Sequence, residues 1–265
     1  MILATHGIIG SQIVQATCLL AEYPGAAAAY SLRQLTTAYT ADVIEVRRAS
    51  DNATQDIGFV DGELDVTSLE SFCSGTNGFV TTWYDQSGNG NDATQSTDAN
   101  QPQIVSSGSV ITENGKPAIS KNSSFLYIPL SLNNNARFKS FHVLKTNANY
   151  HVLLGSNSTA DGILFAQNTS NTTIIANATN NQLRKNAITF SPTTRRDIFN
   201  ALSSQSLLYD DTNFNFVGSS FGTGFGGGGS GFGFYQLQEM IIYPSTNTEI
   251  TGIETNINDF YSIYP

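Results

Sequence analysis

The residues most able to do chemistry in this 265-residue chain fall in one stretch, Phe79–Gln95, FVTTWYDQSGNGNDATQ. Its first half alternates as a half-buried strand does and holds the only tryptophan. Its second half sets Asp85, Asn89, Asn91 and Asp92 around Gly88 and Gly90. Aromatic faces stack on sugar rings, and amides and carboxylates bond sugar hydroxyls. Trp83, Tyr84, Asp85, Asn89, Asn91 and Asp92 are therefore the candidate carbohydrate-binding residues. Two plainer readings stand beside this one: a tryptophan buried in the core, and Asx-turns that need Asn and Asp with no ligand at all. An oxygen-lined Ca²⁺ site is a third, although Asp85, Asp92 and Asp98 do not follow EF-hand spacing.

Other chemistries find little support. His6, His142 and His151 lack metal-ligand spacing and no Cys or carboxylate cluster accompanies them, so no metal is expected. A Gly-x-Ser-x-Gly elbow is absent. The glycine-rich stretch FVGSSFGTGFGGGGSGFGFYQ lacks the Lys-Ser/Thr of a phosphate-cradling loop. Neither a cofactor nor a catalytic residue is assigned from these patterns. With 12 Lys and Arg against 21 Asp and Glu, the net charge of −9 disfavours nucleic acid as a partner. The opening MILATHGIIGSQIVQATCLLAEYPG fits neither a secretory signal nor a membrane span, so membrane insertion is not expected. Cys18 and Cys73 allow at most one bridge.

The elements that must position the candidate site read as strands. Val43–Arg47, Phe79–Tyr84, Phe141–Lys145, Val152–Leu154, Ile163–Ala166, Thr173–Ala176, Ile198–Ala201, Leu207–Tyr209 and Tyr235–Tyr243 are short, apolar and separated by Asn, Ser, Gly and Asp. Helix is expected at Ala26–Leu35, at Val66–Phe72, and near the C-terminus. There Ile250, Ile253, Ile257 and Phe260 recur at helical spacing behind a Thr246/Glu249 capping box.

A resemblance joins these parts. YSLRQL, IEVRRASDNATQDIGF, SFCSGTNGFVTTWYDQSGNGNDATQ and QPQIV resemble the N-terminal half of the catalytic domain of family 54 α-L-arabinofuranosidases. FYQLQEMIIYPSTNTEITGIETNINDFYSIY is similar to the last strand and helix of concanavalin A-like, laminin-G-type jelly rolls. The implied fold is all-β, an antiparallel two-sheet jelly-roll sandwich with a short N-terminal arm (1–28), the sandwich (29–265) and a C-terminal helix. The resemblance also implies two catalytic carboxyl groups in the C-terminal half of the domain. The stretches matched to them, GILFAQNTSN and GFGGGGSGFGF, contain no Glu or Asp, with Asp161 at the edge of the first.

The expectation that follows is a non-catalytic virion structural or display protein of a tailed phage, a capsid decoration, head fibre or tail-associated module. Jelly rolls with this block resemble such proteins. The arm would join other virion proteins, the chain would form a homo-oligomer at the virion surface, and the loop end would touch cell-surface glycans. The alternative is a secreted carbohydrate-active enzyme of arabinofuranosidase type, or a secreted carbohydrate-binding module. Sequons at Asn52, Asn122, Asn157, Asn168, Asn171 and Asn177 do not decide between them.

Overall fold

The computed structural model describes residues 18–122, 124, 126–129, 138–146, 150–156, 162–167, 182–211, 221–222 and 234–265. The expected strand at 173–176, residues 1–17 of the arm, and 216–220 and 223–233 of the glycine-rich stretch lie outside the described residues. The described helices are α1 (Leu19–Glu22), α2 (Val66–Phe72), α3 (Arg195–Ala201) and α4 (Ile250–Tyr261).

One layer is built on a long antiparallel pair, Phe138–Thr146 with Phe234–Pro244. Ser206–Asp211, then Gln182–Lys185 and Ile188–Phe190, extend it on one side. Ala28–Ser31 and Ile119–Asn122 pair with the opposite edge of Phe234–Pro244. The second layer centres on Ile44–Arg48 between Thr54–Ile57 and Gly78–Trp83, and continues into Ala93–Thr94 and Gln103–Ser106. Bridges such as Ser120 with Gln103 and Tyr127 with Thr94 join the layers at their margins.

Strand alternation decides what each face buries. Ile44, Val46, Val80 and Trp83 of the second layer meet Tyr30, Leu144, Leu208, Met240 and Ile242 of the first in the inter-sheet core. On the reverse of the first layer, Ala29, Phe141, Tyr209, Ile241 and Tyr243 are covered by Ile253, Ile257 and Tyr261 of α4. The expected isoleucine stripe therefore packs across the sandwich. Arg33 fixes α4 further: its guanidinium donates to Glu239 at 2.8 and 3.0 Å and to Asn256 Oδ1 at 3.1 Å, all buried.

Four local expectations are corrected. Ala26–Leu35 is rich in helix formers, yet Ala28–Ser31 is a strand, because Tyr30 faces the inter-sheet core and Ala29 faces α4. A two-sided burial at period two overrides intrinsic propensity. Ile198–Ala201 belongs to α3 and not to a strand. A capping box, with Thr194 accepting from Asp197 N and the Asp197 carboxylate bonding back, starts that helix. At α4 the Thr246/Glu249 box does not form; Asn247 Oδ1 accepts from Glu249 N at 2.9 Å instead. In the arm, Leu19 and Ala26 are buried, so the described part of 1–28 packs with the sandwich.

One polar group interrupts the inter-sheet core. Ser140 and His142 point inward from Phe138–Thr146, with Ser140 Oγ 2.9 Å from His142 Nε2. Asp210 lies directly across from Ser140 on the neighbouring strand. All three are buried. Desolvation lowers the His142 pKa from 6.5 to about 4.

Two outcomes are expected. Ile257→Asp, which places a charge in the apolar contact under α4, should cost on the order of 3–5 kcal/mol in urea unfolding. For His142, a pKa depressed on folding gives stability that is full above pH 6.5 and is lost as the pH falls toward 4. Wild type should lose about 3 kcal/mol more than His142→Gln between pH 7 and pH 4, compared by urea titration at each pH.

Candidate functional site in the loop after Trp83 and on the inter-sheet face

The six residues singled out in the sequence are brought close together by the end of Gly78–Trp83, and all but Tyr84 are engaged in holding the fold. Trp83 is fully buried, its ring 5.9 Å from that of Tyr30, so the indole offers no face to a sugar. Asp85 accepts from Ala29 N at 2.8 Å, Ser87 N at 2.9 Å, Ser87 Oγ at 2.8 Å and Asn91 N at 3.0 Å. Asp92 Oδ1 accepts from Asp85 N at 2.8 Å. The Asn89 amide donates to Ala26 O at 2.9 Å and Ala27 O at 3.2 Å, and the Asn91 amide to Ala27 O at 2.9 Å. Tyr30 Oη donates to Asn91 O. Gly88 and Gly90 take φ of 86° and 71°, which lets the loop double back.

The loop thereby behaves as a substitute strand. Ala28–Ser31 pairs with Phe234–Pro244 along one edge, and its other edge would present unpaired peptide groups. Asp85 takes the Ala29 N–H, Gln86 N donates to Ala29 O at 2.8 Å, and the Gln86 amide donates to Ser31 O at 2.9 Å and Arg33 O at 3.0 Å. Gln86 Oε1 closes the run by accepting from Leu35 N at 2.8 Å. Gln86 was missed as a key residue in the sequence; its signal was the fixed Asp-Gln-Ser-Gly-Asn-Gly-Asn order. Of the six, Tyr84 alone turns to the outer face of the second layer. Its hydroxyl donates to Asp56 Oδ1 at 2.6 Å.

The buried carboxylates sort by what they hold. Asp85 holds the loop, Glu239 holds Arg33, and Glu254 receives the Arg184 guanidinium at 2.8 Å. Asp210 is engaged as well and lies on the inter-sheet side of its strand with Ser140 and His142. Cys18 and Cys73 are free thiols, and burial raises the Cys73 pKa. Among the described residues no three His, Cys, Asp or Glu side chains gather around a metal-sized space. No described helix is long and apolar enough to cross a membrane. His6, Asp161 and 224–233 of the matched glycine-rich stretch, and the side chain of His151, lie outside the described residues.

Comparison with known proteins gives this arrangement a family. Residues 19–186 match the family described as "Alpha-L-arabinofuranosidase B, catalytic". A probable α-L-arabinofuranosidase B of Aspergillus flavus is 38% identical over 106 residues, 36% of this chain and 21% of that protein. An arabinofuranosidase/B-xylosidase of Trichoderma koningii is 41% identical over 69 residues, 26% of this chain and 14% of that protein. The matched regions thus span about a fifth or less of these relatives. The crystal structure of an arabinofuranosidase complexed with arabinofuranosyl-α-1,2-xylobiose superposes with a TM-score of 0.58 at 18% identity, covering 91% of this chain and 64% of that one. A GH54 arabinofuranosidase soaked with a cyclic sulfate inhibitor gives 0.58 at 16%, covering 91% and 63%. At that identity the likeness establishes the fold. The family match overturns the expectation of a non-catalytic virion display protein, together with its virion partners and virion-surface location. This chain belongs to the α-L-arabinofuranosidase B catalytic-domain family.

Proposed function

We propose that the chain is a glycoside hydrolase domain that acts outside the cell on α-L-arabinofuranosyl groups of neutral polysaccharides. The observation that carries this reading is the family match over residues 19–186, on a sandwich shared with solved arabinofuranosidases over 91% of the chain. Hydrolysis of a glycosidic bond needs two carboxyl groups at the scissile bond, one acting as acid and the other as base or nucleophile. The stretches matched by resemblance to such positions contain neither Glu nor Asp, so the groups must come from elsewhere in this fold. Asp210, buried opposite Ser140 on the neighbouring strand, is the carboxylate proposed as one of the two. It lies on the inter-sheet side of its strand with Ser140 and His142, whose side chains contact each other at 2.9 Å.

The test is turnover of an aryl α-L-arabinofuranoside by the purified 265-residue chain. Wild type should hydrolyse it, and Asp210→Asn should lower kcat/KM by about 100-fold or more with an unchanged circular dichroism spectrum. No turnover by folded wild type would overturn the hydrolase reading. Full turnover by Asp210→Asn would remove Asp210 from the chemistry and leave the hydrolase reading standing.

A further inference from the structure

The outer face of the second layer holds a surface that hydrolysis does not use. Along Gly78–Trp83 and its neighbours, alternate residues point away from the inter-sheet core: Phe79, Thr81 and Tyr84 on one strand, Glu45 and Arg47 on the next, and Asp56 beyond. None of these six is buried. From Phe79 to Tyr84 the strip runs roughly 16 Å at about 3.3 Å per residue, the reach of a short oligosaccharide.

Three features of the strip define its partner. Glu45 and Asp56 are directly opposed across an antiparallel pair, a like-charge arrangement that weakens a sheet. Each is engaged through one oxygen by a hydroxyl: Thr81 Oγ1 donates to Glu45 at 2.5 Å and Tyr84 Oη to Asp56 at 2.6 Å. A carboxylate offers about four acceptor sites, so both retain capacity for further hydroxyl donors. At the other end, the Arg47 guanidinium lies over the Phe79 ring at 5.1 Å, and its charge is matched by Asp98 and by the Gln101 and Asn52 amides. The Tyr84 ring is a flat group at one end of a row of acceptors, and the guanidinium of Arg47, a side chain only 11% exposed, braces the Phe79 ring at the other. The negative charge repels polyanions, which sets aside nucleic acid and acidic polysaccharide. With only Phe79 and Tyr84 as large apolar groups, the strip is too polar for the desolvated centre of a protein interface. An uncharged, hydroxyl-rich chain meets every condition.

We propose that this face, from Tyr84 and Asp56 to Arg47 and Phe79, is a docking surface for the backbone of a neutral polysaccharide, separate from the inter-sheet face. It rests on the neutral-polysaccharide part of the function above and not on hydrolysis. The surface would hold a polymer while side groups are presented elsewhere on the domain.

Affinity gel electrophoresis of the native chain tests it, with neutral arabinoxylan or polygalacturonate cast in the gel. Arabinoxylan should retard wild type and polygalacturonate should not. Asp56→Ala, an exposed site, and the double variant Arg47→Ala/Tyr84→Ala should each weaken retardation by roughly fivefold or more while keeping the wild-type circular dichroism spectrum. Turnover of a small aryl arabinofuranoside should be unchanged in both. Equal retardation of folded variants, retardation by polygalacturonate, or a parallel loss of small-substrate turnover would each overturn the proposal. Variant-sensitive retardation in a chain without turnover would support this surface while removing the hydrolase reading.

Discussion

The fold depends on one buried carboxylate. Asp85 leaves water to receive three backbone N–H groups and one hydroxyl, and such charge-assisted bonds make its burial tolerable. Through Ala29 N it reaches the first layer from the end of a strand in the second. The two layers are thereby tied together at this end of the sandwich. Gln86 continues the contact as a side chain that mimics a peptide group, donating through its nitrogen and accepting through its oxygen. Replacing a neighbouring strand with a loop closes the free edge of Ala28–Ser31 without extending the sheet.

That constraint explains where the loop's amide side chains are engaged. Asn89 and Asn91 use their amides to satisfy Ala26 and Ala27 carbonyls, which precede the strand and have no sheet partner on that side. Trp83 fills the space beneath them against Tyr30. The same residue types that would suit a sugar site are those that suit a backbone staple, because both tasks require short amides and carboxylates at fixed positions. Chemistry alone does not separate them; the partners do.

The two faces of the first layer handle buried polarity differently. Toward α4, the Arg33 guanidinium is fully paired with Glu239 and Asn256 and further enclosed by the rings of Phe260 and Tyr261. Removing one member of such a pair strands a charge, so this cluster fixes the helix to the sheet. Toward the second layer, Ser140, His142 and Asp210 form a smaller polar group within an apolar core. His142 is kept neutral there by desolvation, so its ring can exchange donor and acceptor roles with Ser140 without carrying charge. One cluster serves attachment, and the other places polar groups inside the sandwich.

Local pattern determined the all-β sandwich, the short α2 helix and the α4 stripe, because Ile253 and Ile257 bury one helical face and most strands bury alternate residues. It also pointed to the family, since the Asp-Gln-Ser-Gly-Asn-Gly-Asn order supplies the donors and acceptors of one hydrogen-bond circuit. Tertiary structure decided the rest. Ala26–Leu35 has helical propensity but is claimed by two opposed apolar faces, and only the presence of both α4 and the second layer makes a strand the better state. Ile198–Ala201 has strand-like composition but follows a capping box whose Thr194–Asp197 reciprocity commits it to helix. Ser140, His142 and Asp210 are separated by up to seventy positions and meet through antiparallel register, a pairing that no local window contains. The fate of Trp83 was likewise undecidable from its neighbours. An indole at a strand end suits a sugar or a core equally, and the choice is made by Tyr30 and the far sheet closing over it.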